Sequence, residues 1–258
     1  MFPYFVIFGK RIGLYGMLAC IGALAAGFLL YQLLKKRHAA SLDDMILFLL
    51  FVGGGMLLGG HLLYGLTNFA KAERLLQATS FSQFRAVFSE IFGGSVFYGG
   101  LIGGSICGIL GTRILKLNTP LYADAMSVVA PLFHFFGRIG CFFAGCCYGI
   151  ESNFGFVLNG VRRFPVQLLE SILNLLIALF MLVLFSAGKI RGKLFFLYLA
   201  IYAPIRFADE FLRGDPIRGF VLGLSTSQFI SIFVELFAIC ALFYLQHKER
   251  TDKKTSAS

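Results

Sequence analysis

Two stretches of this chain place charge and nucleophilic atoms inside apolar sequence. The first, HFFGRIGCFFAGCCYG at 134–149, sets His134, Arg138 and the thiols of Cys141, Cys146 and Cys147 among phenylalanines. The second, RFADEFLRGD at 206–215, carries Arg206, Asp209, Glu210 and Arg213. A charge at the centre of a helical membrane span costs on the order of 2.5–3.5 kcal/mol by insertion scales, so an arginine kept there points to a task. Guanidinium forks match phosphate oxygens bidentately, and two of them converging near a leaflet surface would make a phosphate clamp. Gly137 and Gly140 flank Arg138 and leave room for a headgroup or a neighbouring helix. Each stretch also has a plain reading. Arg138 could snorkel to the interface. The second stretch could neutralise itself, since Arg206 reaches Asp209 at i+3 and Glu210 at i+4, and Asp209 precedes Arg213 by four.

The cysteines allow four readings. Structural zinc sites usually show two separated Cys-x2–4-Cys pairs, whereas Cys141, Cys146 and Cys147 form one Cys-x4-Cys-Cys patch, so spacing argues against a metal even with His134 nearby. A disulfide would suit an oxidising outer face. Small packing residues are the simplest account, as they are for Cys20, Cys107 and Cys240. A reactive thiol is the fourth, because a neighbouring arginine such as Arg138 favours the thiolate.

Smaller signals belong to the same chemistry. FPVQLLESI at 164–172 opens an apolar segment with Pro165, a favoured helix-start residue, and spaces Gln167 and Glu170 at i, i+3. LYG at 14–16 and FYGGLIGG at 97–104 set Tyr15 and Tyr98 beside glycine. A tyrosine in such sequence is usually an interfacial anchor. Gly99 and Gly100, however, would open space beside the Tyr98 hydroxyl.

The elements that must hold these residues are membrane helices. The chain is 58% hydrophobic and only 14% charged, with a mean hydropathy of +0.80; soluble domains run nearer a quarter charged. Apolar stretches long enough to cross the bilayer, roughly 20 residues each, recur at about 12–34, 45–66, 91–113, 121–143, 166–187, 193–213 and 221–246. The expectation is an all-α integral membrane protein with about seven spans, one polytopic domain over 1–246 and a basic, disordered cytoplasmic tail over 247–258. KKRH at 35–38, TRILK at 112–116, KIRGK at 189–193 and HKERTDKK at 247–254 fall on one side. That places the N-terminus outside and the C-terminus in the cytoplasm.

The opposite side holds Lys10, Arg11, Lys71, Arg74, Arg85, Arg162, Arg163, Arg213 and Arg218, so the bias is modest and the outer face is itself basic. With a net charge of +10, anionic lipid headgroups are the expected partner rather than nucleic acid. MLAC at 17–20 is expected to belong to a retained helix and not to a cleaved leader, because the apolar run continues past Cys20. The 67–90 stretch spaces Phe69, Leu75, Leu76, Phe81, Phe84 and Phe88 among charges, the pattern of an amphipathic segment on the outer leaflet or of a solvated loop.

Taken in order, these motifs resemble the prolipoprotein diacylglyceryl transferases of bacterial inner membranes. FYGGLIGG is similar to the family's F-H-G-G-L-I-G segment, and GRIGCFFAGCCYG to its G-R-x-G-N-F-x-N-x-E-x-x-G signature. FPVQLLE is similar to H-P-x-Q-L-Y-E, RFADEFLR to R-F-x-x-E-F-x-R, and LSTSQ at 224–228 to L-T-x-G-Q. The resemblance runs from about Gly13 to Gln228. It implies transfer of the diacylglyceryl group of phosphatidylglycerol to the lipobox cysteine of a prolipoprotein, with release of glycerol phosphate and without a cofactor. It also implies a multi-pass protein of the bacterial plasma membrane that meets a prolipoprotein signal peptide, and a monomer is expected.

Tyr15, Arg138, Gln167, Glu170, Arg206, Glu210 and Arg213 match the family's pattern residue by residue. Tyr98 stands where the family has histidine, and Cys141, Ala144 and Cys146 stand where it has asparagine, asparagine and glutamate. Tyrosine, with a pKa near 10, is a poor base at neutral pH, so His134, four residues before Arg138, is the substitute base. The site implied is Tyr98, His134 and Arg206 for catalysis, and Arg138, Tyr15, Gly99, Gly100, Gln167, Glu170, Glu210 and Arg213 for substrate. The departures keep a second reading open, a paralogue that transfers a glycerolipid group to another acceptor. A third is a lipid-binding protein or transporter, although the paired broken helices common in transporters are not seen.

Overall fold

The computed structural model describes residues 4–7, 10–37, 39, 41–215, 220–221 and 223–255. It is mostly helical. Five helices are long and apolar enough to cross a membrane: α1 (Leu14–Lys35), α2 (Leu42–Thr67), α6 (Thr119–Ala144), α7 (Val166–Ser186) and α9 (Thr226–Thr255). Two more, α5 (Phe97–Ile114) and α8 (Leu194–Asp209), occupy the remaining apolar stretches with 18 and 16 residues. The all-α expectation needs one correction. Three two-stranded antiparallel hairpins pair β1 (Tyr4–Ile7) with β2 (Lys10–Gly13), β3 (Glu151–Leu158) with β4 (Val161–Arg163), and β5 (Phe220–Val221) with β6 (Leu224–Ser225). The β3–β4 turn is Asn159-Gly160, both at positive φ (49° and 81°). That pair fits the two-residue turn whose twist matches the strands it joins.

The contacts gather into two compact units, Leu34–Tyr122 in one and Met1–Leu33 with Ala123–Ser258 in the other. In the first, Ser41 and Asp44 form a reciprocal capping box that starts α2. Further along, α2 lies against α5 through glycine. A Cβ on Gly59 or Gly99 would run into the other's carbonyl oxygen, and Gly55 and Gly103 stand in the same relation. The spacing is Gly-x3-Gly on both helices, and small residues let backbones approach where lipid offers no hydrophobic drive for association. Phe48 and Tyr122 meet edge to face at 4.8 Å, and the His61 Nδ1 lies 2.8 Å from the carbonyls of both Phe92 and Gly94.

The 67–90 stretch is helical, with α3 (Glu73–Leu76) followed by α4 (Phe81–Phe92). In α4 Ile91 is buried while Phe81, Phe84 and Phe88 are exposed, so the amphipathic pattern is realised on a helix rather than in a loop.

In the second unit α6, α7, α8 and α9 carry the polar residues. The buried Asp124 of α6 accepts from the backbone N–H of Gly192 at 2.5 Å and of Leu194 at 2.9 Å, which satisfies donors at the start of α8. Ser171 of α7 donates to the Phe135 carbonyl of α6 at 3.2 Å, fixing the level at which the two helices meet. Ser225 and Gln228 cap α9 reciprocally: the Gln228 N–H donates to Ser225 Oγ at 3.2 Å and the Ser225 N–H to Gln228 Oε1 at 3.0 Å. LSTSQ is therefore a helix start, and α9 continues as helix through the basic stretch to Thr255.

Candidate functional site

Arg138 and Arg206 come from α6 and α8 and meet on one carboxylate. Glu170 of α7 takes Arg138 Nε on Oε2 and lies 3.8 Å from Arg206 Nη1 on Oε1. The chain of charges continues through Glu210, whose Oε2 is 2.6 Å from Arg206 Nη2 and 3.8 Å from Arg213 Nη1. It ends at Asp215, which receives Arg213 Nε at 3.0 Å and Nη2 at 2.8 Å. Three guanidiniums thus alternate with three carboxylates. Arg138 and Arg206 are 8% and 5% exposed. The head of Arg138 is buried and paired with Glu170.

The self-neutralising ladder survives in a different form. Arg206 pairs with Glu210 as expected at i+4, but Arg213 pairs with Glu210 and Asp215 rather than with Asp209. The reason is local. Helix α8 ends at Asp209, the chain tightens into a 3-10 turn over Glu210–Leu212, and Arg213 is extended at φ −85°, ψ 139°. The i, i+4 geometry that would join Asp209 to Arg213 needs a helix that has already stopped. Pro216, Arg218 of the outer basic set and His38 of KKRH lie outside the described residues, and Lys10 and Arg11 are described only in their backbone.

Gln167 and Glu170 share the buried face of α7, and Gln167 Nε2 donates to the Cys146 carbonyl at 2.8 Å. Tyr15 of α1 packs on Gly140, where a Cβ would lie 3.1 Å from its ring. Gly140 therefore admits a neighbouring helix. At Gly137 no described residue lies within 4 Å of a built Cβ, so the other flank of Arg138 is open. His134, one turn before Arg138, is half-buried with its ring 5.7 Å from that of Tyr202.

Tyr98, Gly99 and Gly100 belong to the other unit. The room expected beside Tyr98 is taken by the helix contact, since a Cβ at Gly99 would strike Gly59 and one at Gly100 would lie 3.2 Å from the Met56 carbonyl. These glycines are spent on bringing α5 against α2.

Sequence reasoning missed three residues. Ser227 accepts from Arg206 Nη2 at 3.1 Å, Asp215 closes the ion-pair chain, and Tyr202 lies one turn before Arg206 on the same helix. The i, i+4 spacing of Tyr202 and Arg206 was a readable signal; the other two contacts are tertiary or depend on the turn. The buried Tyr202 hydroxyl, Gln167 Oε1 and Arg206 Nη1 have no hydrogen-bond partner among the described residues. Buried polar atoms are nearly always satisfied, so three open ones around two arginines leave hydrogen-bonding capacity for a polar ligand.

The thiols converge as well. Cys141 lies in the last turn of α6, and a turn through Gly145 (φ 71°) and Cys147 (φ 53°) folds back so that the Sγ atoms of Cys141, Cys146 and Cys147 lie within 4.8 Å of one another. Cys146 Sγ donates to the Cys141 carbonyl at 3.7 Å, which holds the turn back against the end of the helix. The loop that follows is pinned by Gly214 N–H to the Tyr148 carbonyl at 2.9 Å and by the Arg163 guanidinium 4.3 Å over the Tyr148 ring.

Comparison with known proteins bears on this arrangement. A family model described as prolipoprotein diacylglyceryl transferase matches residues 3–244. A phosphatidylglycerol–prolipoprotein diacylglyceryl transferase of Clostridium tetani is 36% identical over 91% of this chain and 94% of its own length. The second such transferase of Clostridium perfringens is 36% identical over 96% of each chain. One from Campylobacter hominis is 28% identical over 97% of this chain and 92% of its own.

Proposed function

We propose, from the premise that this chain belongs to the prolipoprotein diacylglyceryl transferase family, that it moves the diacylglyceryl group of phosphatidylglycerol to the lipobox cysteine of a prolipoprotein. The observation that carries the assignment is the shared carboxylate: Glu170 holds Arg138 and Arg206, from two helices, at one buried point. The acceptor thiolate attacks the glyceryl carbon bonded to phosphate oxygen. A C–S bond forms, the C–O bond breaks, and glycerol phosphate departs as an anion. Charge builds on the departing phosphate, and preorganised donors aimed at such charge are worth most in a water-poor site.

Arg206 is the principal stabiliser of that charge in this reading. Its Nη1 and the hydroxyl of its neighbour Tyr202 have no hydrogen-bond partner among the described residues. Arg138 holds the ground-state phosphate beside the open flank at Gly137. Gln167, Glu170, Glu210 and Arg213 keep the guanidiniums oriented, and Tyr15 borders the headgroup space; Tyr98, Gly99 and Gly100 stay outside this reading, since those glycines bring α5 against α2. His134 is the general base for the acceptor thiol. Seven crossings with the N-terminus outside, a bacterial plasma-membrane location, a signal-peptide partner and a monomeric state complete the reading; α5 and α8 would supply the two shorter crossings.

Purified protein given phosphatidylglycerol and a lipobox peptide should add one diacylglyceryl mass to the peptide cysteine, and Arg138→Ala should abolish the gain. An undiminished rate in that variant would remove Arg138 from its role. The replacement of the family's histidine and glutamate by Tyr98 and Cys146 favours one competing reading, a different acceptor. Rescue of cells lacking their own transferase would exclude that competitor, and failure to rescue would support it.

A further inference from the structure

Spacing in the sequence disfavours a metal, yet the fold brings three thiols to one point. The Sγ atoms of Cys141, Cys146 and Cys147 all lie within 4.8 Å of one another. Zinc–thiolate bonds of about 2.3 Å in a tetrahedral arrangement require sulfur atoms about 3.8 Å apart, so closure by an ångström or less would complete three ligands of one ion. The two residues that turn the chain, Gly145 and Cys147, both hold positive φ, and Cys147 does so despite its side chain. A non-glycine residue in that region marks backbone held in place by its surroundings. Gln167 fixes the same turn from α7 through the Cys146 carbonyl at 2.8 Å. Cys146 is exposed while Cys141 and Cys147 are partly covered, so the cluster is closed behind and open in front.

We infer that this cluster binds one thiophilic divalent ion, zinc in the first instance, through three thiolates, and that its fourth position takes the acceptor thiol of the transfer reaction. The second half rests on the function proposed above. Three protein ligands with one position left open is the pattern of a catalytic zinc site, whereas structural sites are closed by four. The role also answers a deficit in the sequence. Cys146 and Tyr98 stand where the resemblance implies glutamate and histidine, so activation of the acceptor thiol falls to His134 alone. A bound zinc supplies that activation, because a coordinating thiol is deprotonated outright.

A zinc ion held by Cys141, Cys146 and Cys147 would favour the thiolate of the acceptor, whose proton would pass to the general base. The acceptor sulfur would then bond to the glyceryl carbon as the C–O bond breaks toward phosphate, with no change of oxidation state. Three thiolates and a fourth from substrate would leave the site net negative.

The test uses full-length protein in detergent, reduced, stripped with a chelator and titrated with Cd(II). Thiolate-to-metal absorbance should rise to a break at one equivalent per chain. Cys146→Ser, at an exposed position and so tolerated by the fold, should weaken binding by more than about tenfold, as should Cys141→Ser. Serine at Cys20, Cys107 and Cys240 together should leave the titration unchanged. Absent absorbance, a break that Cys146→Ser does not move, or a disulfide among these cysteines in protein purified without reductant would overturn the site.

For the role, stripped protein should transfer diacylglyceryl at least tenfold more slowly and recover with Zn(II). Transfer indifferent to stripping would overturn the role. A sound cadmium site in protein that never modifies a lipobox peptide, with or without zinc, would instead overturn the acceptor assignment while the metal site stood.

Discussion

The α2–α5 pair and the α6–α7–α8 cluster both bring helices together in apolar sequence, by opposite means. In the first, Gly55 and Gly59 face Gly99 and Gly103, and the contact is backbone on backbone with no charge present. In the second, Arg138, Glu170, Arg206 and Glu210 join three helices and a turn through buried ion pairs. Buried pairs carry a desolvation penalty that often cancels their attraction, so they are weak evidence of stabilisation for its own sake. A glycine seam achieves close approach without that penalty. The second unit carries its buried charges in spite of that penalty, and the Tyr202 hydroxyl, Gln167 Oε1 and Arg206 Nη1, which have no hydrogen-bond partner among the described residues, occur on that side.

The contrast can be broken at either end. The largest effect is expected from Glu170→Ala, which leaves Arg138 and Arg206 buried without their shared partner. Removing one member of a buried pair costs about 3–5 kcal/mol, so the variant should melt far below the parent in detergent. Glu170→Gln, which keeps an acceptor oxygen, should lose less. Equal melting of Glu170→Ala and parent would mean that the cluster is wetter than its burial indicates.

Next comes Arg206→Ala measured on the folded fraction. Loss of a donor aimed at developing charge lowers turnover by about 10²–10³-fold, and the peptide mass-shift rate reports it. A variant that folds and turns over normally would reduce Arg206 to a structural ion pair.

On the seam, Gly103→Val forces a branched side chain against the Gly55 carbonyl and should cost about 1–3 kcal/mol by overpacking. Gly53→Ala, on the same α2 helix but with no described residue within 4 Å of its Cβ, should be neutral or stabilise by up to about 1 kcal/mol. Thermal unfolding of the two variants side by side checks the seam directly; matching shifts would show that α2 does not use these glycines for contact. The smallest effect is expected from Ser225→Ala, which removes one half of the α9 cap and about 1 kcal/mol. The same melting assay reads it, and a loss several times larger would tie the cap to the Arg206–Ser227 contact.

Much of this was legible in residues alone. Hydropathy located every long helix, because bilayer thickness and helical rise fix the length of an apolar run. Arg138 and Arg206 stood out as charges in places where charge is expensive, Glu170 by its i, i+3 spacing with Gln167, and the ordered motifs tied them to one family. The hairpin at Asn159-Gly160 and the cap at Ser225–Gln228 were equally readable, since both are local patterns with known geometry.

Other features have no local cause. That Glu170 serves two arginines depends on where α6 and α8 stand around α7. That Arg213 turns to Asp215 depends on α8 ending at Asp209. That Cys141 meets Cys146 and Cys147 depends on a turn with two positive φ angles. Side-chain type and spacing along one helix are properties of a chain, whereas the partner of a buried charge or thiol is chosen by the packing of segments distant in sequence. Composition determined that this protein lives among lipids and carries arginines there; only the packed helices decided which carboxylate those arginines share and which sulfur atoms can grip one ion.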